Sequence, residues 1–328
     1  IWRNTQMEAS ANTSCSNVTV TNGFLIRLVG SLGAVSVATC LVALCWLFYL
    51  KLYKQFLYRL AAYQVMGSML HALFLVCQFT FLEYDDSKYP SCVAVGYLLE
   101  IAGWMKACFG CWITFHLFCF AVFLKNMKKL EPLYVISSIL VPIVVSSVPL
   151  ITKSYGPTDD WCWIQRKKCG KYDLTGFVEQ IALWYGPTFV LLVVQSIAML
   201  IIMITMYYRA HRKSDDDVIG SREQNKKALR QLLPLMVYPV VFCILIIPPL
   251  IERLYGFSPV PRGLLILVTV CIPAWSFFAG VSLIVHIGAI RRTDVIACIC
   301  TPLACLSRTF QKKDYISWTS KQSSFDDH

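Results

Sequence analysis

The stretch LVGSLGAVSVATCLVALCWLFYL, residues 28–50, holds no charged side chain from end to end. As a helix rising 1.5 Å per residue it would be about 34 Å long, enough to cross a hydrocarbon core about 30 Å thick. Six further stretches are as long and predominantly apolar: Leu60–Leu82, Val93–Leu124, Leu133–Ile151, Ile181–Tyr207, Leu232–Ile251 and Leu264–Ile287. In lipid, backbone polar groups must be satisfied within helices or a closed barrel, and these runs lack the alternation of barrel strands. The sequence therefore reads as an all-α membrane protein, a seven-transmembrane helix bundle. The fourth run is the shortest and contains Pro142 and Pro149, which a membrane helix tolerates better than a soluble one.

Composition agrees. Of 328 residues 57% are hydrophobic and 15% charged, and the mean hydropathy is +0.58. A soluble domain carries about a quarter charged residues. The net charge of +11 would suit a nucleic-acid binder, but the placement of the charges argues against that partner. Segments on one side of the spans hold nineteen Lys and Arg, including Lys51, Lys54, Arg59, Lys125, Lys128, Lys129 and the run from Arg209 to Arg230; the other side holds ten. The richer side is expected in the cytosol. That puts the N-terminus outside and the C-terminus in the cytosol, and makes the basic excess an attraction to anionic membrane lipid.

Two sequons, at Asn12 and Asn17, fall in the segment expected outside, where glycosylation is possible. Cys15, Cys92, Cys162 and Cys169 also fall in outer segments, where disulfides persist. Cys92 opens the third span and Cys162 lies in the long loop after the fourth. A bridge between them would hold that loop over the bundle, worth about 4 kcal/mol in the chain-entropy account; two free thiols are the alternative. Cys15 with Cys169 is a weaker second candidate pair. The expected organisation is an extracellular glycosylated tail at 1–27, the bundle at 28–287, and a cytosolic juxtamembrane helix and tail at 288–328. The sequence begins at Ile1 and reads as a fragment or a processed chain.

Ionisable groups inside a membrane are costly and mark function. Within the spans these are Glu100, Lys106, His71, His116 and His286. Glu100 lies eight residues beyond Cys92, about 12 Å down the helix, a suitable depth for a ligand pocket beneath the outer loop. Glu100 and Lys106, six apart, sit about 120° around the helix, so each is expected to meet a partner on another element. Gln64, His71 and Gln78 recur every seven residues and form one stripe, which reads as interhelical packing more readily than as a ligand site. The candidate pocket comprises Glu100, Lys106, His71, Gln78 and Trp163. On the inner side, Lys125, Arg209, Arg212, Lys226, Lys227 and Arg230 are candidate protein contacts, although positive-inside anchoring explains them equally. Pro239, in the sixth span, is a candidate hinge. Cys298, Cys300 and Cys305, close to Arg291 and Arg292, fit S-palmitoylation of a membrane-lying helix. Ser307, Thr309, Ser317, Thr319, Ser320, Ser323 and Ser324 in the tail could be phosphorylated.

The run Trp161-Cys162-Trp163-Ile164 resembles the second outer loop of the cyclic-AMP-receptor-like proteins, which are allied to the secretin-like receptors. Cys92 at the start of the third span, Lys51, and Tyr58-Arg59-Leu60 opening the second accompany it. The resemblance covers roughly Leu28 to Ile287. It implies a G-protein-coupled receptor in the plasma membrane, with Cys92 and Cys162 joined. Its partners would be an extracellular ligand of unstated class, a heterotrimeric G protein and an arrestin-like regulator. Signalling would proceed by movement of the sixth helix. The seventh span departs from the group, reading Ser276-Phe277-Phe278-Ala279-Gly280 without a Gln-Gly pair. Rhodopsin-like signatures are missing: the third span ends Phe123-Leu124-Lys125 instead of Asp-Arg-Tyr.

Other classes fit less well. A transporter or channel remains the alternative, yet Glu100 is the one acid within the spans and no internal repeat is evident. A retinal pump needs a lysine on the seventh span, which has none. An enzyme is not expected: no Gly-x-Ser-x-Gly occurs, and the histidines are too scattered for a zinc site. No cofactor or metal is called for.

Overall fold

In the computed structural model, residues 23–82, 89–123, 125, 127–158, 162–165, 167–168, 171–211, 236–254 and 261–300 are described. The chain divides into two units, residues 1–283 and 284–328. The first is a helical bundle. Its helices are α1 (Gly23–Tyr49), α2 (Phe56–Leu82), α3 (Tyr89–Phe123), α4 (Glu131–Ile151), α5 (Leu174–Gln180), α6 (Gly186–His211), α7 (Val237–Leu254) and the first part of α8 (Arg262–Cys300). A π-helical turn, Ile181–Tyr185, joins α5 to α6, so the two make the single fifth span. In the second unit the described residues are the rest of α8, from Ile284 to Cys300.

Six of these segments are long and apolar enough to cross a membrane, and the sixth span appears as the shorter apolar helix Val237–Glu252. The protein is thus a multi-pass membrane protein with the expected order of spans. Where the boundaries differ from the sequence reading, local capping explains them. Asp173 accepts a hydrogen bond from the Thr175 amide and starts α5 seven residues before Ile181. Pro132 follows Glu131 in the first turn of α4, where a missing N–H costs nothing. At the other end of α4, Lys153 adopts a left-handed φ of 57°, its N–H donates to Leu150 and that of Ser154 to Pro149. This is the reciprocal C-terminal cap usually made by glycine. The earlier starts and later stops bring Glu131, Glu179 and Glu252 into helices.

α3 is the hub, packing against α2, α4, α6 and α7. α1 packs against α2 and against α8, where the Ser36 hydroxyl donates to the Pro273 carbonyl and the Cys40 thiol to that of Ser276. α4 and α6 turn outward such large apolar side chains as Ile136, Leu140, Val144, Phe189, Val193 and Ile197. In a membrane those faces meet lipid chains. Inside, Trp104, Ala107, Phe242, Ile246 and Trp275 form a core cluster.

The loop after α4 folds as two short hairpins. β1 (Tyr155–Pro157) pairs antiparallel with β2 (Cys162–Ile164), with Gly156 opposite Trp163, and β3 (Lys167–Lys168) pairs with β4 (Lys171–Tyr172). β1 and β2 pack on α3, and Tyr155, Trp163, Ile164 and Tyr185 form a second buried cluster.

Candidate functional site

Each residue of β2 is tied to a different part of the bundle. Cys162 is joined to Cys92 on α3, and its carbonyl accepts from Gln78 on α2 at 3.1 Å. The Trp163 indole N–H donates to the carboxylate of Glu100 on α3. The Ile164 carbonyl accepts from Gln180 on α5 at 2.5 Å. In β1, the Tyr155 hydroxyl donates to Ser146 on α4 at 3.0 Å. Four spans therefore hold one strand pair over the end of the bundle. Buried strand carbonyls need such partners, and two glutamines supply them.

Beneath this cover lies a partly open cavity of about 660 Å³, including the space at its opening. Glu100, Trp163 and Tyr185 line it together with His71, Lys106 and Trp275. Its walls are mostly apolar, with few polar groups, as small-molecule sites tend to be. Of the expected pocket residues, Glu100, Lys106, His71 and Trp163 share this cavity. Gln78 does not; it lies under the loop, bonded to Cys162.

Lys106 is 2% exposed. Its Nζ lies 3.1 Å from His71 Nδ1 and 4.1 Å from the centre of the Trp275 ring. As an ammonium Lys106 would have no acceptor and would donate to Nδ1, with the His71 proton then on Nε2. Imidazole nitrogen and indole face are both electron-rich, and both suit a cation. Neither is an anion. Among the described residues no carboxylate pairs with Lys106, whereas Arg59 pairs with Glu131. Glu100, on the same helix, faces the loop indole instead of the lysine.

The sequence reading missed Trp184, Tyr185 and Trp275. Trp184 stands edge-on to Trp104 at 5.4 Å and to Trp163 at 6.4 Å, and Trp163 meets Tyr185 at 5.8 Å. A tryptophan or tyrosine in an apolar run looks like any interfacial aromatic, so no sequence signal separated these from lipid anchors.

At the opposite end of the bundle, Arg59 on α2 makes a two-pronged pair with Glu131 on α4, Nε to Oε1 at 2.6 Å and Nη2 to Oε2 at 2.5 Å. The Tyr63 hydroxyl joins at 3.1 Å. His116 is buried there against the Phe56 ring. Lys125 is exposed just after α3. Pro239 lies in the first turn of α7 as described, while Pro248 and Pro249 are interior to it. The backbones of Arg209, Cys298 and Cys300 are helical. Asn12, Asn17, Cys15, Cys169, Arg212, Lys226, Lys227, Arg230 and Cys305 lie outside the described residues.

No curated protein matches this sequence. A family model does: that of the slime mold cyclic AMP receptor matches residues 17–310. With its helical spans and nearly the whole chain matched, the protein belongs to the slime mold cyclic AMP receptor family.

Proposed function

We infer that the protein is a G-protein-coupled receptor of the plasma membrane, with the loop hairpin and the cavity beneath it on the extracellular side. The ligand is a small, flat, anionic molecule. One observation carries the reading: a buried lysine that meets no carboxylate among the described residues lines a cavity walled by aromatic rings. A buried cation is expensive in a bilayer unless something anionic meets it, and a ligand that brings the anion removes that cost. Trp163, Trp184 and Trp275 offer faces and edges for a planar body. Trp275 Nε1 and Glu100 add a donor and an acceptor. Cyclic AMP, named in the family's description, has this chemistry: one phosphate charge, a purine plane and an exocyclic amine.

Binding would act on α3, α7 and α8 together, because Lys106, Leu245, Ile246 and Trp275 line one cavity. A ligand shifts a receptor only as far as it prefers one state. In the active state the cytosolic end of the sixth span moves outward and admits a heterotrimeric G protein; Lys125, Arg209, Arg212, Lys226, Lys227 and Arg230 supply its basic contact surface. Phosphorylation of the C-terminal tail would recruit an arrestin-like regulator.

The test is a panel of G-protein dissociation sensors in cells expressing the full chain, challenged with cyclic AMP, other nucleotides and non-nucleotide anions. Dissociation that depends on an anionic aromatic compound and is lost in Lys106→Met supports the reading. No dissociation in any sensor, together with solute flux through vesicles carrying the protein, would transfer it to a transporter.

A further inference from the structure

The position of Trp184 is set by two glycines on different helices. The first is Gly186. Pro187 has no N–H and its ring crowds the carbonyl one turn back, so a regular α-turn cannot close here. The Gly186 N–H instead donates to Ile181, five residues back, which makes the π-helical turn Ile181–Tyr185. A Cβ on Gly186 would stand 2.8 Å from that same Ile181 oxygen, a backbone atom that cannot yield. The extra residue advances the side chains on the loop side of the turn by about 100° relative to those beyond it. Trp184 and Tyr185, within the turn, both face the cavity.

The second glycine is Gly103 on α3. A Cβ there would stand 2.8 Å from Trp184 Cη2 and 3.2 Å from Cζ3. The indole edge occupies the space where any larger residue would begin. Trp104 and Trp163 close on the ring edge-to-face, so a ring displaced from Gly103 has the cavity to move into.

We propose that Gly103 and the Gly186-Pro187 π turn seat Trp184 as the residue that sets the width of the ligand cavity, and so selects which flat ligands enter. The selectivity part rests on the receptor reading above; the seating does not. The test reads the cavity without a ligand. Cys271 lines the same cavity and is a free thiol. Its modification by a small methanethiosulfonate, followed by peptide mass spectrometry on the purified full chain, reports how open the cavity is.

Trp184→Ala should speed Cys271 labelling and Gly103→Ala should slow it, each by about threefold or more. In the double variant Gly103→Ala should have no further effect, because its action passes through the indole. A Gly103→Ala effect of equal size with and without Trp184, or unchanged labelling in Trp184→Ala, would overturn the proposal. In the cell assay, Trp184→Ala should let a ring-substituted cyclic nucleotide analogue gain on cyclic AMP by about tenfold in relative potency. An unchanged ratio of potencies would overturn the selectivity role. If no nucleotide acts on the wild type, the receptor reading fails while the labelling result still decides the seating.

Discussion

Glu100 and Trp163 are 63 residues apart in sequence, and a hydrogen bond from the indole to the carboxylate fastens the loop strand to α3 one level below the Cys92–Cys162 bridge. The strand is thus held to one helix at two depths, with the cavity below the lower attachment. Truncation by Glu100→Ala removes the acceptor and leaves a buried indole N–H without its partner. A buried donor left without its acceptor costs about 1–3 kcal/mol. The expected outcome is a loss of agonist potency of about tenfold or more, with Glu100→Gln, which keeps an acceptor oxygen, losing less. Dose–response curves normalised to surface expression check it. Equal potency in Glu100→Ala and wild type would separate this bond from ligand binding.

Lys106→Met should keep the volume of the side chain and remove its charge. Where the ligand's anion sits against Lys106, losing a buried charge partner costs about 2–5 kcal/mol, so binding of cyclic AMP should fall about thirtyfold or more. His71→Ala should cost less, since it removes a neutral partner and leaves the ammonium. Lys106→Arg should not restore binding, because a planar guanidinium does not fit the space of an ammonium between one imidazole nitrogen and one indole face. Radioligand saturation on membranes measures all three. Unchanged affinity in Lys106→Met would place the anion elsewhere.

Much of this was legible in the sequence because lipid is a simple solvent. Charge-free runs such as residues 28–50 announce spans, and a lysine or glutamate inside such a run announces a polar interior. So Glu100, Lys106 and His71 could be picked out one by one. What lay beyond reach was how the helices share depth. Gln64, His71 and Gln78 fall on one helical stripe, yet His71 meets Lys106 in the cavity and Gln78 meets the loop strand. Periodicity gives the face and not the height. The fifth span shows a second limit: a π turn adds a residue, so phase counted from one end is wrong at the other. Trp184 and Tyr185 are brought to the cavity by that shift, and Trp275 by α8 packing against α1 and α7.

At the opposite end of the bundle, the Arg59–Glu131 pair bridges α2 and α4 with Tyr63 as a third member. The two side chains are 32% and 18% exposed, so screening reduces what the pair contributes. The bidentate geometry places it at the upper end of the range for such pairs, about 1 kcal/mol. Reversing either charge alone should lower the melting temperature of the detergent-solubilised protein. Reversing both, Arg59→Glu with Glu131→Arg, should recover part of the loss. Additive losses in the double variant would show that the two side chains do not interact.

In α7, Pro248 and Pro249 deprive the carbonyls of Ile244 and Leu245 of their usual donors four residues on, and Leu245, Ile246 and Pro249 line the cavity. The helix is therefore weakest in its own hydrogen bonding where a ligand would touch it. The core contact between Phe242 and Trp275, at 4.8 Å, lies one turn further on and ties α7 to α8. Pro239 stands beyond that contact, in the first described turn of α7, toward the end expected to meet the G protein. Two places are therefore candidate hinges, the proline pair at the cavity and Pro239 past the aromatic contact. If the end of the span swings about Pro239, Pro239→Ala should reduce maximal G-protein dissociation while leaving ligand affinity within about twofold, since affinity and efficacy then reside on different sides of Phe242. Pro248→Ala with Pro249→Ala should change affinity as well. A double electron–electron resonance measurement between labels at Lys226 and Lys125 checks the motion directly. An agonist-dependent increase in that distance in the wild type, reduced in Pro239→Ala, is the expected result. An increase of equal size in Pro239→Ala would move the hinge to the proline pair beside the cavity.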